Sequence, residues 1–266
     1  MKNSILFTLA LMLTLASTAQ EAEWKIGFKI NPNVSWIKPD AKFINNEGSN
    51  LRFGFSLMID KHFTDNYAFG TGLNIFQTGG KLSYLRKTNE VVPGLSGSYD
   101  VISRLERNYK MQYGEIPFTL KLRTNEIGYI TYWGQFGLGL GFNIRSKSDD
   151  TIDYLYQNTG DAAEPWKDAS LPSVEIEDED IKDDISIFRT SLIIGAGIEY
   201  SLSGTTSVIA GITFNNGFSD CLRGKGVQTD DRDAVIYEGT GAEQKPKEYD
   251  LKGYGNFIEL NIGILF

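Results

Sequence analysis

Residues 132–144 read YWGQFGLGLGFNI. Phe136, Leu138, Leu140, Phe142 and Ile144 fall on alternate positions, and Gln135, Gly137, Gly139, Gly141 and Asn143 fill the places between them. A period of two marks a β-strand, because successive side chains point to opposite faces. One face of this strand is uniformly apolar, and the other is almost bare backbone. Whatever covers the apolar face decides the fold.

The same plan recurs along the chain. In RFGFSLMIDKHF, Phe53, Phe55, Leu57 and Ile59 oppose Gly54, Ser56, Met58 and Asp60. YAFGTGLNIF sets Tyr67, Phe69, Leu73 and Ile75 against Ala68, Gly70, Gly72 and Asn74, after a tight turn at Thr64, Asp65 and Asn66. SLIIGAGIEY and SVIAGITFN follow suit, joined by Ser203 to Thr205. A first strand lies in WKIGFKIN and a last in YGNFIELNIGILF. Another spans YKMQYGEIPFTLKL, where the phase slips near Gly114 as a bulge would cause. That makes eight strands. The connections alternate in length. Pro39 to Asn50, Arg86 to Glu106, Ser146 to Asp184 and Ser219 to Lys252 are long, while those at Asp65, Asn125 and Gly204 are short.

A soluble antiparallel sandwich or lipocalin-like cup would also alternate, with its large side chains inward. Eight strands, however, enclose only enough room for packed side chains. The large residues of this chain would overfill that space, whereas its Gly, Ala, Ser and Asn face fits it. The pattern is inside-out. It predicts an all-β chain, an eight-stranded antiparallel up-and-down transmembrane β-barrel with long extracellular loops, short periplasmic turns and both termini in the periplasm. Trp24, Phe63, Tyr67, Tyr132, Tyr200 and Tyr254 suit its interfacial girdles. The slightly negative mean hydropathy is no objection, since lipid-facing and interior residues average out.

The N-terminus agrees with that compartment. Lys2, an apolar run from Ile5 to Ala16, and Ser17 and Ala19 at peptidase spacing predict a cleaved secretory signal over 1–19, leaving a barrel domain over 20–266. The apolar run is too short to span a bilayer as a helix. Cys221 is the sole cysteine, so no intramolecular disulfide can form. At the other end, Ile258, Leu260, Ile262, Ile264 and Phe266 would meet lipid while the edge of their strand pairs with the first and closes the ring. Leu260, Ile262, Ile264 and the terminal aromatic Phe266 also resemble the signal by which the barrel-insertion machinery recognises its clients.

KIGFKINPNVSW, the turn and glycine-alternating strand from Phe63 to Gly72, EIPF at Glu115 to Phe118, GLGLGF and IELNIGILF together resemble the PorT-type outer-membrane β-barrel family of Bacteroidetes over essentially the whole mature chain. The resemblance implies the barrel and the outer membrane of a Gram-negative bacterium. One member's association with type IX secretion and gliding makes secretion or gliding envelope proteins candidate partners.

Strand parity points Lys25, Lys29, Arg52, Asp60, Glu115, Lys121, Arg145, Glu199 and Glu259 inward. Both signs are present, so the charges either neutralise one another as a plug or line a small gated pore. An unpaired buried charge is costly, which favours the plug. The only histidine, His62, shares parity with Ser56 and Asp60, an invitation to a lipid-hydrolysing triad. Ser56, though, lies about 20 Å from it at strand rise, out of reach. The stretch EIEDEDIKDD at Glu175 to Asp184, with Asp149, Asp150, Asp153 and Asp161, is oxygen-rich but lacks the D-x-D-x-D-G spacing of a calcium loop. No catalytic set, cofactor or metal site is expected. A net charge of −8 argues against nucleic acid. The chain reads as a non-enzymatic barrel whose partners are outer-membrane lipid and envelope proteins.

Overall fold

The computed structural model describes residues 24–155, 171–230, 234–239 and 245–266. The signal expected over 1–19 and Asp161 lie outside them. The described strands are β1 (Trp24–Pro39), β2 (Asn45–Gly48), β3 (Asn50–Thr64), β4 (Tyr67–Val91), β5 (Ser98–Arg123), β6 (Ile130–Tyr154), β7 (Val174–Asp180), β8 (Phe188–Ser203), β9 (Thr206–Gly217), β10 (Lys225–Val227), β11 (Tyr237–Glu238), β12 (Lys245–Pro246), β13 (Glu248–Asp250) and β14 (Gly253–Leu265). Eight of them, β1, β3, β4, β5, β6, β8, β9 and β14, form one closed antiparallel barrel in that order. The ends of the chain meet where β1 pairs with β14, from Gly27 opposite Leu265 to Pro39 opposite Gly253. Phe266 and Ile26 exchange backbone hydrogen bonds of 2.8 and 3.2 Å just beyond. Two of the three short turns rest on glycines in left-handed backbone, Gly128 at φ +69° and Gly204 at φ +56°.

Outside the barrel, Phe28, Phe53, Ile116, Phe118, Phe136, Leu138, Leu140, Ile212, Ile258 and Ile262 are all exposed. On β6 this apolar row runs from Tyr132 to Ile144. At about 3.3 Å per residue and a tilt of about 40° the row covers about 30 Å of barrel height. That is about the thickness of a bilayer's hydrocarbon core.

The strands continue well past that band, and their polarity inverts. On β5, inward Glu115, Thr119 and Lys121 and outward Ile116, Phe118, Leu120 and Leu122 give way to inward Tyr113, Met111, Tyr109 and Leu105, all buried, and outward Gln112, Lys110, Asn108 and Glu106. β4 does the same, from outward Leu73 and Ile75 to outward Gln77 and Lys81, and from inward Gly70 and Asn74 to inward Phe76, Leu82 and Tyr84. The apolar residues follow the drier side in each medium. The upper strands thus form a water-exposed head with an ordinary core of Ile37, Leu82, Leu105, Tyr109, Met111, Ile152, Ile185 and Leu222.

Two expectations change on this account. The phase of β5 never slips at Gly114; the polarity reverses there. The irregularity sits on its neighbour, where Gln112 faces Arg145 and Tyr113 faces Asn143, leaving Ile144 as the extra residue of a β6 bulge. The long connections also contain strand. β4 and β5 stay paired out to Val91 and Ser98, β6 runs on to Tyr154, and β7 pairs along its outer part.

The inversion predicts a sharp positional contrast. Phe118→Arg should cost about 2–4 kcal/mol of barrel stability. Gln112→Arg, three turns of the alternation further out, should be near neutral, while Leu105→Ala should cost about 2–5 kcal/mol as in a soluble core. Urea unfolding in vesicles checks all three.

Candidate functional site

Charged side chains of both signs converge inside the barrel, where they are arranged in tiers. Nearest the short turns, Lys121 on β5 bridges Asp60 on β3 and Glu199 on β8, both at 2.8 Å. Glu199 also takes Arg123 at 2.5 Å, and the Lys121 ammonium stands 5.3 Å from the centre of the Trp133 ring. Above them Lys29 reaches Glu259 at 3.4 Å and Asn261 at 2.7 Å, and Asn261 continues to Asn31 and Thr213. The third tier centres on Arg189. Its guanidinium donates to Glu115 at 2.9 Å, to Asn215 at 2.5 Å and to the Gly255 carbonyl at 3.0 Å. Glu115 further accepts from Ser191 and Asn215. Gly139 makes this tier possible, since a Cβ there would lie 2.5 Å from both the Glu115 carboxyl carbon and Ser191 Oγ.

The Arg189 guanidinium lies 5.6 and 5.5 Å from the Phe76 and Phe257 ring centres. Phe76 in turn packs on Phe257 and Tyr113, with ring centres 4.7 and 6.1 Å apart. These three aromatic residues are the floor of the head's core. The lumen between the tiers retains a cavity of about 40 Å³ lined by Lys29, Asp60, Thr119, Lys121, Glu259 and Asn261 among others. That is room for only a few waters, each of which needs about 10–15 Å³ of such space. At the turn end the barrel opens into a vestibule of about 500 Å³ lined by Lys25, His62, Arg123, Glu126 and Thr131.

Seven of the nine residues assigned inward by parity thus lie in the tiers or the vestibule. Arg52 and Arg145 do not, which corrects that assignment. The Ile144 bulge flips the parity of β6 and leaves Arg145 exposed. Arg52 lies near the end of β3 and reaches the Tyr109 carbonyl at 3.4 Å, beside a groove shared with Arg145. Parity reading missed Arg189 and Arg123. Both carry the same parity as their neighbours Ser191 and Lys121, and each falls one step outside an apolar run, where the alternation gives no signal.

The remaining candidates resolve into other partnerships. Ser56 donates to Asn31, Asp60 binds Lys121, and His62 Nδ1 faces Arg123 at 3.5 Å, so the three do not form a relay. In the head, Arg107 gathers much of the acidic segment. It donates to Asp150 through Nε and Nη2 and to Asp184 through Nη1, the shortest contacts being 2.6 Å. Burial alone would lower the Arg107 pKa, but the Asp150 hydrogen bonds and neighbouring groups hold it above its ordinary value. Lys110 takes Asp149 at 2.6 Å and Asp178 at 3.1 Å. No cluster of three or more His, Cys, Asp or Glu among the described residues has the arrangement of a metal site. Cys221 is buried against the Gly253 carbonyl, and burial pushes its thiol up to about 12.

The sequence matches the family model of the outer membrane protein β-barrel domain over residues 18–223, and the chain belongs to that family. No curated protein matches it. Among solved structures it is similar to Neisserial surface protein A (9% identity, 92% of this chain and 98% of that one, TM-score 0.41). OprG from Pseudomonas aeruginosa matches at 10% identity over 91% and 93%, TM-score 0.39. Ail, the attachment invasion locus protein of Yersinia pestis, matches at 14% over 92% and 99%, TM-score 0.32. The chain is an outer-membrane β-barrel protein.

Two measurements probe the third tier and the head core above it. Glu115→Ala should destabilise by about 3–5 kcal/mol because it strands the Arg189 charge, and exchanging both residues for apolar ones of similar volume should restore most of the loss. Urea titration of both variants beside the wild type reads this directly. The Cys221 thiol should resist a maleimide at pH 8 in the folded barrel and react at once after unfolding. Its protonated form favours the fold below about pH 9, and that contribution should fall away as pH climbs towards the folded-state value of about 12.

Proposed function

We propose that this protein is a non-enzymatic envelope anchor, a plugged outer-membrane barrel that holds its head and loops in place for contact with other envelope proteins. The observation that carries the reading is the filled lumen. Three tiers of paired charge and an aromatic floor leave a cavity of about 40 Å³. A solute pathway needs more than that, so the pore reading is the weaker alternative. On this proposal the short turns and both termini face the periplasm, the head faces outward, and residues 1–19 are a cleaved export signal. Leu260, Ile262, Ile264 and Phe266 then serve the insertion machinery as well as the lipid face. The resemblance to PorT-type barrels of Bacteroidetes makes components of type IX secretion and gliding the first partners to look for.

The test combines two readouts on the full chain. In planar bilayers the wild type should give no discrete conductance steps; steps whose size changes in Glu259→Ala or Lys29→Ala would instead establish a pore. In crosslinked affinity isolation from gently solubilised envelopes, defined envelope proteins should be recovered. That recovery should fall when β7 is removed while the unheated protein still migrates as a compact barrel. Recovery of the barrel alone would count against the anchor.

A further inference from the structure

The outer rim of the apolar band differs around the ring. On β8, β9 and β14 the rim is aromatic, with exposed Phe188 and Phe218 and with Tyr254. On β4, β5 and β6 the rim is basic. There the outward residues that follow Ile75, Ile116 and Ile144 towards the head include Gln77, Gln112, Lys110, Arg145 and Lys147. With Arg52 and Asp178 they line a groove of about 220 Å³. Four cations line it with one carboxylate, Asp178, while Asp149 binds Lys110 from beside it. Lys147 stands 3.7 Å from Asp178, so that carboxylate is already shared. Arg52 Nε is buried and has no acceptor, an unused donor beside the groove. This surplus of positive charge stands out in a chain of net charge −8.

Position narrows the ligand. Directly below the groove the barrel wall is apolar, with Phe53, Phe55, Phe142 and Ile144 exposed. An amphiphile whose acyl chains lie on that wall must bring its headgroup to the level of the four cations. Guanidinium and ammonium groups at that level attract anionic headgroups, and arginine suits phosphate oxygens in particular. We infer that the groove formed by Arg52, Lys110, Arg145 and Lys147 binds the phosphate of a phosphorylated lipid in the leaflet that borders the head. The lipid would fix the depth of the barrel on this side, as the aromatic rim does on the other.

The test uses the purified full chain in neutral detergent, titrated with lipid A bearing both phosphates, with the same lipid after enzymatic dephosphorylation, and with inorganic phosphate alone. Tryptophan fluorescence and the thermal midpoint report binding, and an unheated gel shift confirms that each variant is a folded barrel. Wild type and the control Lys38→Ala, whose cation lies on β1 away from the groove, should bind the phosphorylated lipid alike. The double variant Arg145→Ala, Lys147→Ala should bind at least about tenfold more weakly, given two headgroup-level charges removed. Dephosphorylated lipid should bind all three weakly and equally. Equal affinity of the double variant and wild type would overturn the inference, as would indifference to the phosphates. If inorganic phosphate alone matched the lipid's affinity, the site would belong to a free anion and the lipid assignment would fall.

Discussion

Inside a bilayer there is no water to satisfy a backbone N–H or C=O, so a sheet can cross only if it has no free edge. In this protein that condition is met by closing β1 on β14, with β4 on β5 completing the circle. Closure fixes everything else. It commits each side chain to lipid or lumen, and eight strands leave a lumen too narrow for the large apolar residues. The small and charged residues are therefore inside because nothing else fits there, and their charges must find one another.

The second determinant is the change of surroundings along a single strand. β4, β5 and β6 run for 25, 26 and 25 residues, well over twice the roughly 9–11 that cross a membrane. Beyond the band the same alternation serves water outside and a dry core inside. Phe76, Tyr113 and Phe257 sit at the changeover, where the polar tiers end and the apolar head begins. Arg189 joins the two regimes, hydrogen-bonded to Glu115 on one side and resting on the aromatic rings on the other. The aromatic floor and the charge tiers together leave the barrel filled from both ends of the chain's polarity scale.

Much of this was legible in the sequence because a period of two carries both strand and face. The eight strands, their antiparallel order and the polarity of the lipid wall all follow from it. Arg145 was misplaced because one extra residue, Ile144, reverses parity without altering composition. The head carries no strand signature in the sequence because its strands lose the apolar-outward signal: Tyr109, Met111 and Tyr113 look like a phase slip when the membrane boundary is not known. Arg189 and Arg123 were passed over because they stand one step past the last apolar neighbour. Partner choices across the lumen, such as Lys121 with Glu199, depend on which strands face each other around a ring and have no local signature.

The central claim is that the outer wall of β5 meets lipid on the turn side of residue 114 and water on the head side. Spin labels placed one at a time at outward positions Glu106, Lys110, Gln112, Ile116, Phe118 and Leu120 in a reconstituted bilayer test it most directly. Labels at 116, 118 and 120 should be relaxed by oxygen and shielded from a water-soluble nickel complex, with the reverse at 106, 110 and 112. Nickel access that is uniform along the row would contradict the membrane boundary and, with it, the inside-out barrel.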